Sequence, residues 1–290
     1  MPMNLGAVLT AMVTPFNSDG EVDDAAAVRL LQHLFGHGSD GVVVCGTTGE
    51  AATLDDDEHL GFIELVISET RANHPDKTVI AGVGSNDTRH AVKLTEAATA
   101  LRPDALLSVN PYYNLPSRRG IIRHFAEVDR ATDLPIVLYN IPQRTASDMP
   151  NDLIAELAQL EHVVGLKQAN ADNVARIDGI ELYAGNDDLL ATVLDLGEAG
   201  GILTGSHLFG DEMRRMVDEP GNRRQIDAAL QDVYRDMAIA PAACSLKAGL
   251  NMIGVDVGAP RLPYVELDEA ELSVIRALLE RHGLLQAAQA

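Results

Sequence analysis

Lys167 closes the run Val163-Val164-Gly165-Leu166-Lys167, which has the length and β-branched content of a buried strand. Taking a lysine ammonium out of water is costly. Burial therefore lowers its pKa and frees a nucleophilic amine, the group that imine formation on a ketone requires. A strand-end lysine can also turn to solvent or pair with an acid, so the reading depends on what surrounds it. The chain has only four lysines: Lys77, Lys93, Lys167 and Lys247. Gly46-Thr47-Thr48-Gly49-Glu50 sets two hydroxyls between two glycines. Such a turn lets main-chain N–H groups approach an anion, so it could hold a carboxylate, or it could be an ordinary turn capped by threonine. Tyr139 lies at the C-terminal end of the run from Pro135 to Asn140, just before its last residue, where its phenol could relay protons to and from an addition intermediate. Its ordinary alternative is a strand aromatic with a satisfied hydroxyl. Arg144 could grip a carboxylate with both guanidinium nitrogens, or form a surface ion pair. Tyr112-Tyr113 sits in a loop and reads as an interface pair.

These residues need a scaffold that brings strand ends together. Short apolar runs at 7–14, 41–45, 78–83, 105–109, 135–140, 163–167, 181–184 and 201–204 read as strands. Helical patterns follow at 23–37, 56–73, 88–100, 118–132, 151–160, 171–179, 187–198 and 207–217. Eight strand–helix units in strict alternation predict an α/β fold, a (β/α)8 TIM barrel whose reacting groups gather at the C-terminal ends of the strands. The open doubly wound sheet is disfavoured because no phosphate-type glycine turn follows the first strand. After about Glu219 the alternation stops, and 223–237, 242–252 and 268–285 predict a three-helix appendage. The expected division is thus 1–219 for the catalytic barrel and 220–290 for the helical domain. His59, His90 and His124 fall on helical patterns and read as surface or boundary histidines.

The whole chain narrows the class of function. A formal charge of −21 argues against nucleic acid and anionic membranes as partners, but not against a small anion inside a cleft. Cys45 and Cys244, the only cysteines, have neither metal-type nor disulfide spacing, which points to a reducing, cytoplasmic compartment. The N-terminal segment lacks the basic and apolar regions of a signal peptide and reads as a first strand. No apolar run is long enough to span a bilayer. No metal site is expected.

GTTGE at 46–50, NPYYN at 110–114, YNIPQRT at 139–145 and GLK at 165–167 occur in this order, between a TAMVTPF start at 10–16 and PRLP at 260–263. Together they resemble the dihydrodipicolinate synthase / N-acetylneuraminate lyase family of pyruvate-dependent class I aldolases over nearly the whole chain. The resemblance implies a (β/α)8 barrel with C-terminal helices, usually as a homotetramer, with no cofactor beyond the covalent imine. Lys167 then matches the lysine that forms the Schiff base with pyruvate, and Tyr139 the tyrosine that shuttles protons to it. Thr47 matches the link to a second tyrosine, matched by Tyr113 and supplied by a neighbouring subunit. Thr48 matches the holder of the pyruvate carboxylate, with Gly185 and Leu203 as further substrate-binding positions. Arg144 matches the arginine of the synthase branch, which condenses pyruvate with L-aspartate 4-semialdehyde on the route to diaminopimelate and lysine. Gln168, Asn110 and Ala146 depart from the usual acid, threonine and glycine of that branch. The alternative is a sibling aldolase acting on a 2-keto-3-deoxy sugar acid or N-acetylneuraminate. A silent binding barrel would need none of the four matched catalytic residues, and a metal-dependent aldolase would need histidines at strand ends. The family's lysine-inhibition pocket maps to Ala51, Asp56, His59, Asn86, His90 and Tyr112. Only His59, Asn86 and Tyr112 agree with it, which implies weak feedback.

Overall fold

A computed structural model describes residues 5–285. The outer ends of the two expected segments, 1–4 and 286–290, lie outside the described residues. Eight parallel strands close into a barrel in sequence order: β1 Val8–Ala11, β2 Gly41–Val44, β3 Thr78–Gly82, β4 Ala105–Val109, β5 Ile136–Asn140, β6 Val163–Gln168, β7 Glu181–Ala184 and β8 Gly200–Leu203. The barrel helices are α1 Asp24–Gly36, α2 Asp56–Asn73, α3 Thr88–Ala100, α4 Arg118–Arg130, the short α5 Pro142–Thr145, α6 Asn151–Leu157, α7 Leu190–Asp195 and α8 Ser206–Asp218. Beyond them lie α9 Arg223–Ala229, α10 Gln231–Met237, α11 Ala242–Met252 and α12 Glu269–Arg281.

Strand alternation produces two cores. Leu9, Val43, Ile80, Leu107, Val137, Tyr183 and Ile202 fill the barrel interior. Their neighbours Val8, Val42, Val79, Leu106, Leu138, Leu166 and Leu203 pack outward against the helices. Because successive side chains leave a strand on opposite faces, an outward Leu166 obliges Lys167 to point inward. Local signals set the helix starts. Asp55 and Glu58 form a capping box on α2, and Asp268 and Glu271 form another on α12.

Three expectations need correction. Residues 171–179 do not form a helix; a 3-10 turn at Ala171–Asn173 is followed by irregular chain. Only 169–180 separate β6 from β7, about the minimum for a crossover that includes a helix. The expected helix 223–237 breaks at Leu230, so among the described residues the appendage has four helices. Its halves pack differently, α9 on α8 and α10 on α12. His59 and His124 are buried rather than at the surface. A neutral imidazole is cheap to bury once paired. His59 Nε2 bonds the Gly82 carbonyl at 2.8 Å, and His124 Nδ1 bonds Thr88 Oγ1 at 3.0 Å.

Candidate active site

The C-terminal ends of β5 and β6 lie in register, Tyr139 opposite Lys167. Both side chains enter the barrel mouth, and Lys167 Nζ stands over the Tyr139 ring, 4.4 Å from its centroid. Lys167 is 4% exposed and Tyr139 5%. Burial pulls the Lys167 pKa down to about 8; the nearby Asp187 carboxylate opposes this and the Arg144 cation adds to it. Burial also lifts the Tyr139 phenol to about 12, with Arg144 and a side-chain hydrogen bond to Thr47 acting the other way. The pair therefore offers an amine that is free in useful amounts near neutrality, beside a phenol that keeps its proton.

A cavity of about 430 Å³ opens above them, lined by Thr47, Thr48, Arg144, Lys167, Gly185 and Asp187 among others. The turn that carries Thr47 and Thr48 is anchored by Thr14 Oγ1, which donates to the Gly49 carbonyl at 2.6 Å. Arg144, one turn past β5 on α5, is exposed at the rim and lines this cavity without a described ion-pair partner. Gly185 is confined by its neighbours: a Cβ there would stand 2.7 Å from the Gln168 carbonyl carbon. Asp187 is clamped by the Thr204 N–H at 2.8 Å, the Thr204 hydroxyl at 2.7 Å and the Gly205 N–H at 2.9 Å.

The structure thus gathers Lys167, Tyr139, Thr47, Thr48, Arg144 and Gly185. Two expected residues stand apart within the single chain. Leu203 turns its side chain into the outer core, so only its main chain could meet a substrate; the strand pleat that aims Ile202 inward aims Leu203 away. Tyr113 lines neither the cavity nor its neighbour. It is 87% exposed, on a loop where Tyr113 and Leu115 both take positive φ. Asp187 and Tyr264 line the mouth although sequence reasoning gave them no role. The position of Asp187 just past β7 was the available signal for it.

A second cavity of about 520 Å³ adjoins the first and shares Thr47, Tyr139 and Arg144 with it. Ala51, Asp56, His59, His90 and Tyr112 line it, whereas Asn86 is not among its lining residues. His90 Nε2 bonds Asp56 at 2.9 Å, and His59 is committed to Gly82. Among the described residues no group of three or more His, Cys, Asp or Glu could hold a metal ion, and no helix is long and apolar enough to cross a membrane.

Comparison with known proteins identifies the family. Residues 4–282 match the Dihydrodipicolinate synthetase family. A 4-hydroxy-tetrahydrodipicolinate synthase of a Synechococcus species is 40% identical, covering 98% of this chain and 95% of that protein. One from Heliobacterium modesticaldum is 38% identical, covering 97% of each. A crystal structure of the synthase from Cyanidioschyzon merolae with lysine bound superposes with a TM-score of 0.92 at 36% identity, covering 97% of this chain and 99% of that one.

Proposed function

The chain belongs to the dihydrodipicolinate synthetase family, and on that premise we propose that it is a lyase condensing pyruvate with L-aspartate 4-semialdehyde to 4-hydroxy-tetrahydrodipicolinate. This places it in lysine and diaminopimelate biosynthesis, and the sugar-acid alternative is not favoured by its relatives. The observation that carries the chemistry is the buried Lys167 amine, with its lowered pKa, over the Tyr139 ring.

In this reading the neutral Lys167 amine attacks C2 of pyruvate, and the carbinolamine loses water to give the imine. Tyr139, bonded to Thr47, passes the protons that these steps require. Thr48 and the turn around it hold the pyruvate carboxylate. Loss of a methyl proton gives the enamine, whose carbon attacks the aldehyde of the second substrate. The amino group of that substrate then closes the ring on the imine carbon and releases Lys167. Arg144 holds the carboxylate of the second substrate at the rim. The imine supplies the electron sink, so the proposed reaction uses no metal or organic cofactor. Tyr113 completes the relay from a neighbouring copy in a homotetramer, and the enzyme works in the cytoplasm.

The test has two parts. Borohydride added with pyruvate should fix a covalent adduct on Lys167. A coupled assay should show turnover with aspartate semialdehyde that EDTA does not diminish. Labelling on Lys77, Lys93 or Lys247, or acceptance only of a sugar-derived aldehyde, would sink this reading.

A further inference from the structure

Behind the threonine turn lies a buried ion pair to which the reaction above gives no part. Lys247 Nζ on α11 stands 2.7 Å from Glu50 Oε1, with the side chains 1% and 0% exposed. Glu50 Oε2 accepts from the main-chain N–H of Arg261 at 2.9 Å. Lys247 also donates to the Ala259 carbonyl at 3.1 Å and rests over the Phe16 ring, 4.1 Å from its centroid. The Arg261 guanidinium stacks on the same ring at 4.2 Å. It bonds the Thr53 carbonyl at 2.9 Å and pairs with Glu58 of α2. One carboxylate thus joins the end of the GTTGE turn to both α11 and the 258–261 segment.

A buried ion pair adds little stability over apolar side chains of the same volume, because desolvation consumes most of the attraction. What it adds is direction: the Arg261 N–H fixes Glu50 Oε2 and the Ala259 carbonyl fixes Lys247, with the two charges held against each other. Glu50 sits in the left-handed region at φ 56°, and its N–H closes the turn onto the Thr47 carbonyl at 3.1 Å. Moving its carboxylate moves Thr47, which bonds Tyr139, and Thr48, which lines the mouth.

The geometry points to Glu50 as a positioning residue: the Glu50–Lys247 pair uses the C-terminal helices to set the threonine turn where it binds the substrate carboxylate and supports Tyr139. Glu50 itself touches no reacting atom. This inference rests on the reading of the site given above.

The test uses the full-length enzyme and the double variant Glu50→Gln/Lys247→Met, which removes both charges while keeping the bulk. Its Tm should stay near that of the wild type. Pyruvate KM should rise and kcat should fall, each by roughly tenfold, since a small displacement of a binding group is costly in rate. A folded double variant with wild-type kcat and KM would show the pair to be merely structural. Should that variant fail to fold, Glu50→Asp decides, because it keeps the charge but shortens the link by one methylene. A raised pyruvate KM supports positioning and an unchanged KM overturns it. Borohydride trapping separates the two levels. A wild type without an adduct on Lys167 overturns the reading of the site and this inference together. A wild type with the adduct, beside kinetically unaffected variants, overturns this inference alone.

Discussion

At the scale of single residues the chemistry turns on one amine. Lys167 with a pKa of about 8 is mostly protonated at neutral pH, and its free fraction falls about tenfold for each unit below 8. The rate of pyruvate adduct formation should therefore climb with pH up to about 8 and then level off, as read by trapping over a pH series. An inflection near the ordinary lysine value of 10.5 would mean that the amine is not desolvated in solution. Tyr139→Phe and Thr47→Val should each lower turnover by roughly 10²-fold, the scale of a general acid–base group, with the fold intact by circular dichroism. Arg144→Ala should weaken use of aspartate semialdehyde while the pyruvate adduct still forms. Arg144→Lys should restore little, because an ammonium cannot present the two-pronged fork.

At the scale of elements, buried histidines hold strand ends to helices. His207, fully buried at the start of α8, bonds the Thr204 carbonyl through Nδ1 at 2.8 Å, and its Nε2 accepts from the Val13 N–H at 3.1 Å, just past β1. That acceptor role requires a neutral ring, and burial lowers its pKa from 6.5 to about 4. Above pH 6.5 neither the folded nor the unfolded chain binds this proton. Between 6.5 and about 4 only the unfolded chain does, so stability falls as pH drops through that window and then levels. A shift of this size corresponds to roughly 3 kcal/mol for one site. His124, also lowered to about 4 by burial, acts in the same direction. Urea midpoints taken at pH 7.5 and pH 5 should show the loss, and His207→Gln should reduce the difference between them. Equal midpoints in the wild type would mean that these rings are not buried neutral in solution.

At the scale of the whole molecule, Tyr112, Tyr113 and Leu115 stand out on one loop with their side chains exposed. In the proposed assembly this loop enters a neighbouring copy. Mixing inactive Lys167→Ala and Tyr113→Phe subunits should then restore part of the activity, because some sites would receive an intact Lys167 and an intact Tyr113. A fully active monomer in the ultracentrifuge would exclude a shared site. The adjoining cavity bears on feedback. His90 is bonded to Asp56 there, and by the family resemblance it replaces a glutamate of the inhibited enzymes. A lysine ammonium there would meet the His90 ring where a carboxylate is needed, with only the exposed, already bonded Asp56 to answer it. Initial rates at saturating pyruvate should respond weakly to lysine, and half-inhibition below millimolar concentration would refute this.

Much of this was legible in the sequence because it is local. The eight strands follow from short apolar runs, and seven of the helical patterns between them form helices. Lys167, Tyr139, Thr47, Thr48, Arg144 and Gly185 sit at or just beyond strand ends, which a parallel barrel must gather on one face. Their roles were carried by motif resemblance, not by spacing. What the sequence could not hold was anything set by distant partners. Asp187 sits visibly past β7, but its clamp on Thr204 and Gly205 forms only when barrel closure brings β7 beside β8. Nothing in the local pattern separates a buried His59 from a surface one, since the deciding partner, the Gly82 carbonyl, lies on another element. The break at Leu230 leaves two short helices that pack on different neighbours, α9 on α8 and α10 on α12, which the local pattern does not show. That the Leu203 side chain turns to the outer core, leaving only its main chain toward the mouth, is a phase of the alternation that only packing fixes. Glu50 shows the division within one motif: its place in GTTGE was visible, but its partner Lys247 lies almost two hundred positions away. Periodicity and turn chemistry act over a few residues and survive in the sequence. Burial, ion pairing and pKa depend on which surfaces meet, and that is decided only when the chain closes.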